Sequence, residues 1–218
     1  MLVIKKFIVN EIGENCYIVS DETRNAITID YGAFNNNIGE NITTYLQANN
    51  LSLKHSIFTH GHFDHVSGAN YIYQHYGLKP EISGKDLDLL LNLSTQFKSI
   101  LNIVDSELTK IQVPPIGRLL AENDEIKFGN HSFKVIETPG HTPGGLCFYC
   151  EQEKVLFSGD SLFEHSIGRT DFPGGNYNDL VYSLKIKITT LPDSVVVYPG
   201  HGENTTILNE KNNNPFLK

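Results

Sequence analysis

Three imidazoles and a carboxylate fall within six residues of this 218-residue chain, in the run Thr59-His60-Gly61-His62-Phe63-Asp64-His65. A core gains nothing from such a cluster, because burying polar side chains costs free energy unless they find partners. Imidazole and carboxylate are, however, the ligand types that hold zinc and related first-row ions. Three later stretches repeat the theme with one such side chain each, bracketed by Gly or Pro: Thr138-Pro139-Gly140-His141, Ser158-Gly159-Asp160-Ser161 and Pro199-Gly200-His201-Gly202. Glycine lets the backbone turn sharply at these places and aim the side chain. The candidate ligands are therefore His60, His62, Asp64, His65, His141, Asp160 and His201. Catalytic zinc takes three protein ligands plus water, so this set suits two metals that share one carboxylate. His60 and His62 face alike on an extended chain, which leaves Asp64 and His65 to serve a neighbouring ion.

The chemistry of such a centre follows from its charge. Two divalent ions outweigh two carboxylates and one hydroxide, and a centre of that kind lowers the pKa of bound water from 15.7 toward ~7. It also stabilises the oxyanion of a tetrahedral intermediate and a leaving thiolate or alkoxide. Hydrolysis of an acyl bond is its natural reaction, with the metal-bound hydroxide as nucleophile and no Ser, Cys or Lys required. Asp64 is a candidate to orient that water as well as to ligate.

The elements that must position these residues can be read from periodicity. Residues 2–9, 16–20 and 25–30 are short β-rich runs separated by turn residues, an antiparallel meander. Residues 37–49 carry Ile38, Ile42, Tyr45 and Leu46 at helical spacing. Residues 52–59 return to strand and deliver the histidine run at its carboxyl end, and 65–76 read as one helix. A broad apolar zone at 85–101 predicts a helix that buries more than one face, while 103–120, broken by Pro114-Pro115, gives no clear pattern. A second β-rich half follows, with hairpins across Gly129-Asn130 and Gln152-Glu153. Then come a helix over 177–191 and a last strand over 194–198. The Asn-rich patches at 35–37 and 212–214 read as solvated loops, and the tail from Asn209 as loosely held. Strands, helix, strand and helices, then strands, helix and strand again, imply an α/β (α+β) chain with helices outside two central sheets.

Composition narrows the partners. The net charge of −8, with no Lys/Arg cluster, argues against nucleic acid. No stretch reaches the roughly 20 apolar residues of a membrane span. The N-terminus reads as a strand and not as a signal peptide, so the cytoplasm is the default location. Cys147 and Cys150 have C-x-x-C spacing, but residues three apart on a strand point to opposite faces, which argues against a redox pair. His55, His75, His131 and His165 show no ligand pattern.

The H-x-H-x-D-H run, the later lone His, the Ser-Gly-Asp and the final Gly-His, in this order, resemble the metallo-β-lactamase-fold hydrolases. Within them the likeness is to the glyoxalase II-like (hydroxyacylglutathione hydrolase) members. The resemblance implies a four-layer αββα sandwich formed as one domain over residues 1–218, with the metal site at one edge of the sheets. His60, His62 and His141 would hold a first ion, Asp64, His65 and His201 a second, and Asp160 would bridge them. It further implies two divalent ions, zinc foremost with iron or manganese as alternatives, and a small-molecule acyl substrate, above all a thioester. A lactone or other ester is a further option, and the oligomeric state is left open.

Two departures concern the substrate. Only residues 202–218 follow His201, so no C-terminal glutathione-binding helical domain is expected. Glyoxalase II enzymes grip the peptide with a Lys in a G-K-x-Y stretch and a Tyr after the last His. Here Arg169 keeps the positive charge, while Asp171 and Glu203 stand in place of the two tyrosines. Arg169 is thus a candidate substrate-binding residue, with an ion pair to Asp171 as its structural alternative. The Gly168-Arg169-Thr170-Asp171-Phe172 string also resembles persulfide dioxygenases of the same fold, which use one iron held by residues matching His60, His141 and Asp160.

Overall fold

Alternating side chains define the layers. The computed structural model describes residues 1–33, 36–101 and 112–218. Along β2 (Glu14–Ser20), Tyr17 and Val19 pack between two sheets, whereas Cys16 and Ile18 pack toward helices. Along β9 (Leu146–Cys150), Leu146, Phe148 and Cys150 face the same inter-sheet core, and Cys147 and Tyr149 face the opposite helical layer. Residues two apart on a strand share a face, so both strands are apolar on both sides because both sides are covered. The outcome is a four-layer αββα sandwich, the architecture that the resemblance implies.

The first sheet runs β1 (Val3–Val9), β2, β3 (Asn25–Ile29), β4 (Ser52–Ile57), β5 (Pro80–Ser83), β6 (Leu119–Leu120). Its first three strands pair antiparallel and its last four parallel. The second sheet contains β7 (Glu125–Phe128), β8 (His131–Glu137), β9, β10 (Val155–Gly159), β13 (Val196–Pro199) and β14 (Thr205–Thr206). In it only β10 and β13 pair parallel. A small hairpin, β11 (Leu162–Phe163) with β12 (Ser166–Ile167), follows β10. Helices α1 (Asn36–Ala48) and α3 (Ala69–Tyr76) cover the first sheet through Ile42, Leu46 and Ile72. Helix α6 (Tyr177–Ser183) and α7 (Ile207–Asn213) cover the second through Leu180 and Ile207. Parallel strands need long crossovers, and their carboxyl ends gather at one edge, the usual place for a ligand crevice in such sheets. Asp30, Asp160 and His201 follow the ends of β3, β10 and β13, and His60 follows β4 after two residues of extended chain.

Several expected elements differ. Residues 65–76 form two helices, α2 (Phe63–Val66) and α3, because Gly68 docks on β3's exit: its N–H donates to the Tyr31 carbonyl at 2.8 Å. The first of the two starts at Phe63, so Asp64 lies inside the short α2 together with His65. The zone 85–101 is a 3-10 turn (Gly84–Asp86), then α4 (Leu87–Leu91) and α5 (Leu93–Leu101), interrupted at Asn92. Helix α6 widens into a π turn over Leu184–Ile188, closed by Thr189 N–H on the Leu184 carbonyl at 2.9 Å. Both hairpins form as expected, and Cys147 and Cys150 are buried free thiols on opposite faces. Of the poorly patterned stretch 103–120, residues up to 111 lie outside the described residues, as does Asn35; Asn36 and Asn37 begin α1. No helix among the described residues is long and apolar enough to cross a membrane.

The tail is not loose. Thr206 caps α7 by accepting from Asn209 N–H at 3.1 Å, and Asn214 is fully buried. Its Nδ2 donates to the Ser166 carbonyl at 3.1 Å and to Glu210 Oε2 at 2.8 Å, while its Oδ1 accepts from Phe216 N–H at 3.0 Å. The sequence shows asparagines; the structure shows one of them saturated with partners. Asn214→Ala should cost about 1–3 kcal/mol, since it strands buried acceptors. A urea titration would read this as a lower midpoint with an unchanged slope; an unchanged midpoint would mean that the tail is dispensable to stability.

Candidate metal centre

The seven candidate residues converge from four loops. His60, His62 and His141 bring ring nitrogens within 4.8 Å of one another, as do the donor atoms of Asp64, His65 and His201. Within the first trio His62 Nδ1 lies 2.9 Å from His141 Nε2, which lies 3.3 Å from His60 Nε2. Within the second, His201 Nε2 is 3.2 Å and His65 Nε2 is 3.5 Å from Asp64 Oδ2. Asp160 stands between the trios. Its Oδ2 is 3.6 Å from His141 Nε2 and 3.7 Å from His201 Nε2, and its Oδ1 is 3.4 Å from His65 Nε2.

The outer nitrogens fix which atoms face inward. His60 Nδ1 is 3.0 Å from Thr59 Oγ1, whose own proton goes to Asp30 Oδ2 at 2.8 Å. His141 Nδ1 reaches the Arg169 carbonyl at 2.7 Å, and His65 Nδ1 reaches Asp30 Oδ2 at 2.9 Å. With the δ protons so engaged, the Nε2 lone pairs of these rings point into the centre. Lone pairs and carboxylates packed at these distances repel unless a cation lies among them.

Two buried atoms carry the fit to metal directly: His65 Nε2 and Asp160 Oδ1 have no hydrogen-bond partner. Buried polar atoms are otherwise almost always satisfied, so a pair of orphans facing each other marks a place for a ligand. The electrostatics agree. Burial and the neighbouring His65 and His141 rings hold the His60 pKa well below its usual value. Burial, then His141, pushes His62 down to about 4. For His65 burial works downward, but the carboxylates of Asp160, Asp64 and Asp30 outweigh it and hold the ring well above its usual range. Burial opposes ionisation of Asp160, yet His65 and the surrounding imidazoles hold it far below the usual carboxylate range. The carboxylates thus favour positive charge beside them, and divalent ions would answer the same charges.

Three supporting residues escaped the sequence reading. Asp30 accepts from Thr59 N–H at 2.7 Å as well as from Thr59 Oγ1 and His65. Its signal was available, because an apolar strand ending in Asp before Gly32 repeats the pattern of Asp160. Asp86 is fully buried and ties the first loop to the second: it accepts from Gly61 N–H at 2.9 Å, Thr142 Oγ1 at 2.7 Å and Gly144 N–H at 2.6 Å. Gln96 accepts from Phe63 N–H at 3.1 Å and donates to the Gly61 carbonyl at 2.9 Å. Neither Asp86 nor Gln96 has a local signature. Asp30→Asn should weaken metal binding by about 10–100-fold, the usual effect of removing an outer-shell partner. Competition against a coloured chelator measures it, with far-UV circular dichroism to show an intact fold.

The remaining candidates lie at the rim. Arg169 donates to Asp171 through Nε at 2.7 Å and Nη2 at 2.8 Å, and its guanidinium sits 3.9 Å over the Phe172 ring. The Arg169 hydrogen bonds hold the Asp171 carboxyl down at about 2. Glu203 is exposed and pairs with Lys6 at 3.6 Å. His165 is exposed and bonded to Asn209, outside the centre. His55 and His131 are instead held in carboxylate pairs with Glu81, and with Asp21 and Glu153.

A histidine- and aspartate-rich centre at the edge of an αββα sandwich defines a metallo-hydrolase, and the chain belongs to the metallo-beta-lactamase superfamily, whose family model matches residues 9–201. It is 35% identical over 210 residues to the hydroxyacylglutathione hydrolase GloC of Haemophilus influenzae, covering 94% of this chain and 92% of that protein. Among solved structures it resembles the BLEG-1 B3 metallo-beta-lactamase with a TM-score of 0.89 at 31% identity, over 99% of this chain and 100% of that one. It also resembles TTHA1623, described in a di-iron-bound form, with a TM-score of 0.84 at 32% identity over 98% and 100% of the two chains.

Proposed function

We propose that this chain hydrolyses a thioester in the manner of the glyoxalase II-like enzymes, with two divalent ions held by His60, His62 and His141 on one side, Asp64, His65 and His201 on the other, and Asp160 between them. The observation that carries the two-ion reading is the Asp160 carboxylate, whose Oδ2 is nearly equidistant from a histidine of each trio, at 3.6 and 3.7 Å. When bound, such ions supply a water of lowered pKa and polarise the substrate carbonyl. Zinc suits the nitrogen and oxygen donors best, and the same donors accept iron or manganese. The di-iron form of a relative with this fold supports a pair of ions, and the name of the Haemophilus relative supports a thioester.

The chain's own groups do the positioning. Asp30 and the Arg169 carbonyl hold three imidazoles in the tautomer that presents Nε2 inward. Asp64 is buried at the base of the cleft, where its carboxylate is placed to ligate and to accept a hydrogen bond from the attacking water. Asp86 keeps the loops of His60 and His141 in register through its three hydrogen bonds. The three cysteines are buried and unfit as nucleophiles. The test is a panel of thioesters including S-lactoylglutathione, together with a lactone and a β-lactam, assayed before and after chelation. Chelator-sensitive thioester turnover is the expected result. Oxygen uptake on a persulfide by protein holding one iron per chain would replace this reading with the dioxygenase one.

A further inference from the structure

The mouth of the centre is built for an apolar group. A cleft of about 440 Å³ opens over His62, Asp64, His141, Asp160 and His201. Its walls include Ile12, Phe163 and Phe172. Ile12 is half exposed on the β1–β2 turn. The Phe172 ring meets His62 edge-on at 5.7 Å, and the Phe163 ring meets His201 at 6.4 Å. A phenyl ring thus flanks each of the two trios. Pockets of this size draw most of their affinity from apolar lining and their orientation from a few polar groups, which here are the ligands themselves.

Among the described residues, the cations at the cleft and beside His201 are already engaged. Arg169 lines the cleft, but two of its N–H groups are spent bidentately on Asp171 and its face is stacked on Phe172. Beside His201, Lys6 pairs with Glu203 and donates to the Gly202 carbonyl at 3.3 Å. The guanidinium keeps three N–H groups, but its charge is already answered by the Asp171 carboxylate, which a second carboxylate would have to approach. The glutathione peptide brings two carboxylates, which would also meet the charges of Asp171 and Glu203 at the rim.

We infer that the cleft selects thioesters that are uncharged and apolar beyond the reacting carbonyl, read by Ile12, Phe163 and Phe172, and that Asp171 is the specificity-determining residue that keeps Arg169 from recruiting an anionic peptide. The inference rests on the thioester reading for the reaction but is tested by binding alone. Two stable thioethers sharing one alkyl group, S-hexyl-N-acetylcysteamine and S-hexylglutathione, are titrated calorimetrically into the metal-loaded protein. The neutral thioether should bind at least as tightly as the glutathione form. Asp171→Asn should tighten the glutathione form alone by about tenfold, the factor for about 1.4 kcal/mol. Phe163→Ala, which removes a partly exposed ring and leaves the ion pair intact, should weaken both by a factor of about ten on the same scale. Binding of S-hexylglutathione tenfold tighter than the neutral form by the unaltered protein would overturn the inference, as would Phe163→Ala leaving both affinities unchanged. Because no turnover is measured, failure of the thioesterase reading would show in the substrate panel and not here.

Discussion

Asp160→Ala should lower kcat/KM on the best thioester by about a thousandfold and reduce bound metal from two ions per chain to one or none. The rate estimate takes about 4 kcal/mol as the transition-state stabilisation lost with the ion pair, at about 1.36 kcal/mol per tenfold. The residue is singular among the seven because its two oxygens face both trios: Oδ1 toward His65, and Oδ2 toward His141 and His201. Removing any one histidine takes a donor from one ion's site, whereas removing Asp160 takes a donor from both. His62→Ala should therefore retain one ion and more activity than Asp160→Ala. Elemental analysis of both variants beside their kinetics makes the comparison. Two ions per chain retained by Asp160→Ala would mean that Asp160 does not bridge.

Gly200→Ala should be almost as damaging, although it adds one methyl group and removes no ligand. A Cβ there would stand 2.3 Å from Asp160 Oδ1 and 2.6 Å from His65 Cε1, both inside van der Waals contact. Neither neighbour can yield freely. His65 is pinned by its bond to Asp30, and the backbone of Gly200 is fixed from both sides: its N–H donates to the Gly159 carbonyl at 2.8 Å and its carbonyl accepts from Asn15 N–H at 2.7 Å. Overpacking of this kind costs about 1–3 kcal/mol, and here the strain falls on the ligand side chains. The expected result is a modest fall in melting temperature with a loss of metal affinity and turnover far out of proportion to it. Gly159→Ala offers the matching case, because a Cβ at its φ of +49° would lie 2.3 Å from Thr59 Oγ1. A Gly200→Ala protein with full metal content and activity would show that the loops shift more easily than these contacts imply.

The convergence of the seven candidate residues was legible because it obeys a local rule. Each loop leaves a strand end, carries Gly or Pro to turn, and presents His or Asp, so sequence alone marks His60, His141, Asp160 and His201. The fold was legible for a related reason: β-rich runs and helical stripes alternate, and two-sided apolar strands such as residues 146–150 announce cover on both faces. What escaped was set by contacts between distant parts of the chain. The break between α2 and α3 is fixed by Gly68 meeting Tyr31; Ser67-Gly68 is a local turn signal, but its docking partner lies far off in the chain. Asp86 joins Gly61 to Thr142 and Gly144 from a segment that otherwise reads as a helix start. Asn214 looks like part of a solvated Asn-rich tail until Ser166, from 48 residues away, meets it and Glu210, one helical turn earlier, completes its partners. Arg169 shows the same limit at the substrate end, since its charge is visible in the sequence but its engagement by Asp171 and Phe172 is a matter of geometry.

The central claim is a two-ion centre that drives hydrolysis. It is tested most directly by metal content measured on the purified protein and again after stepwise chelation, with thioester hydrolysis followed at each step. Two ions per chain, with hydrolysis lost as they are removed and regained as they are restored, is the predicted result. One ion per chain in fully active protein, or hydrolysis that survives complete chelation, would contradict it.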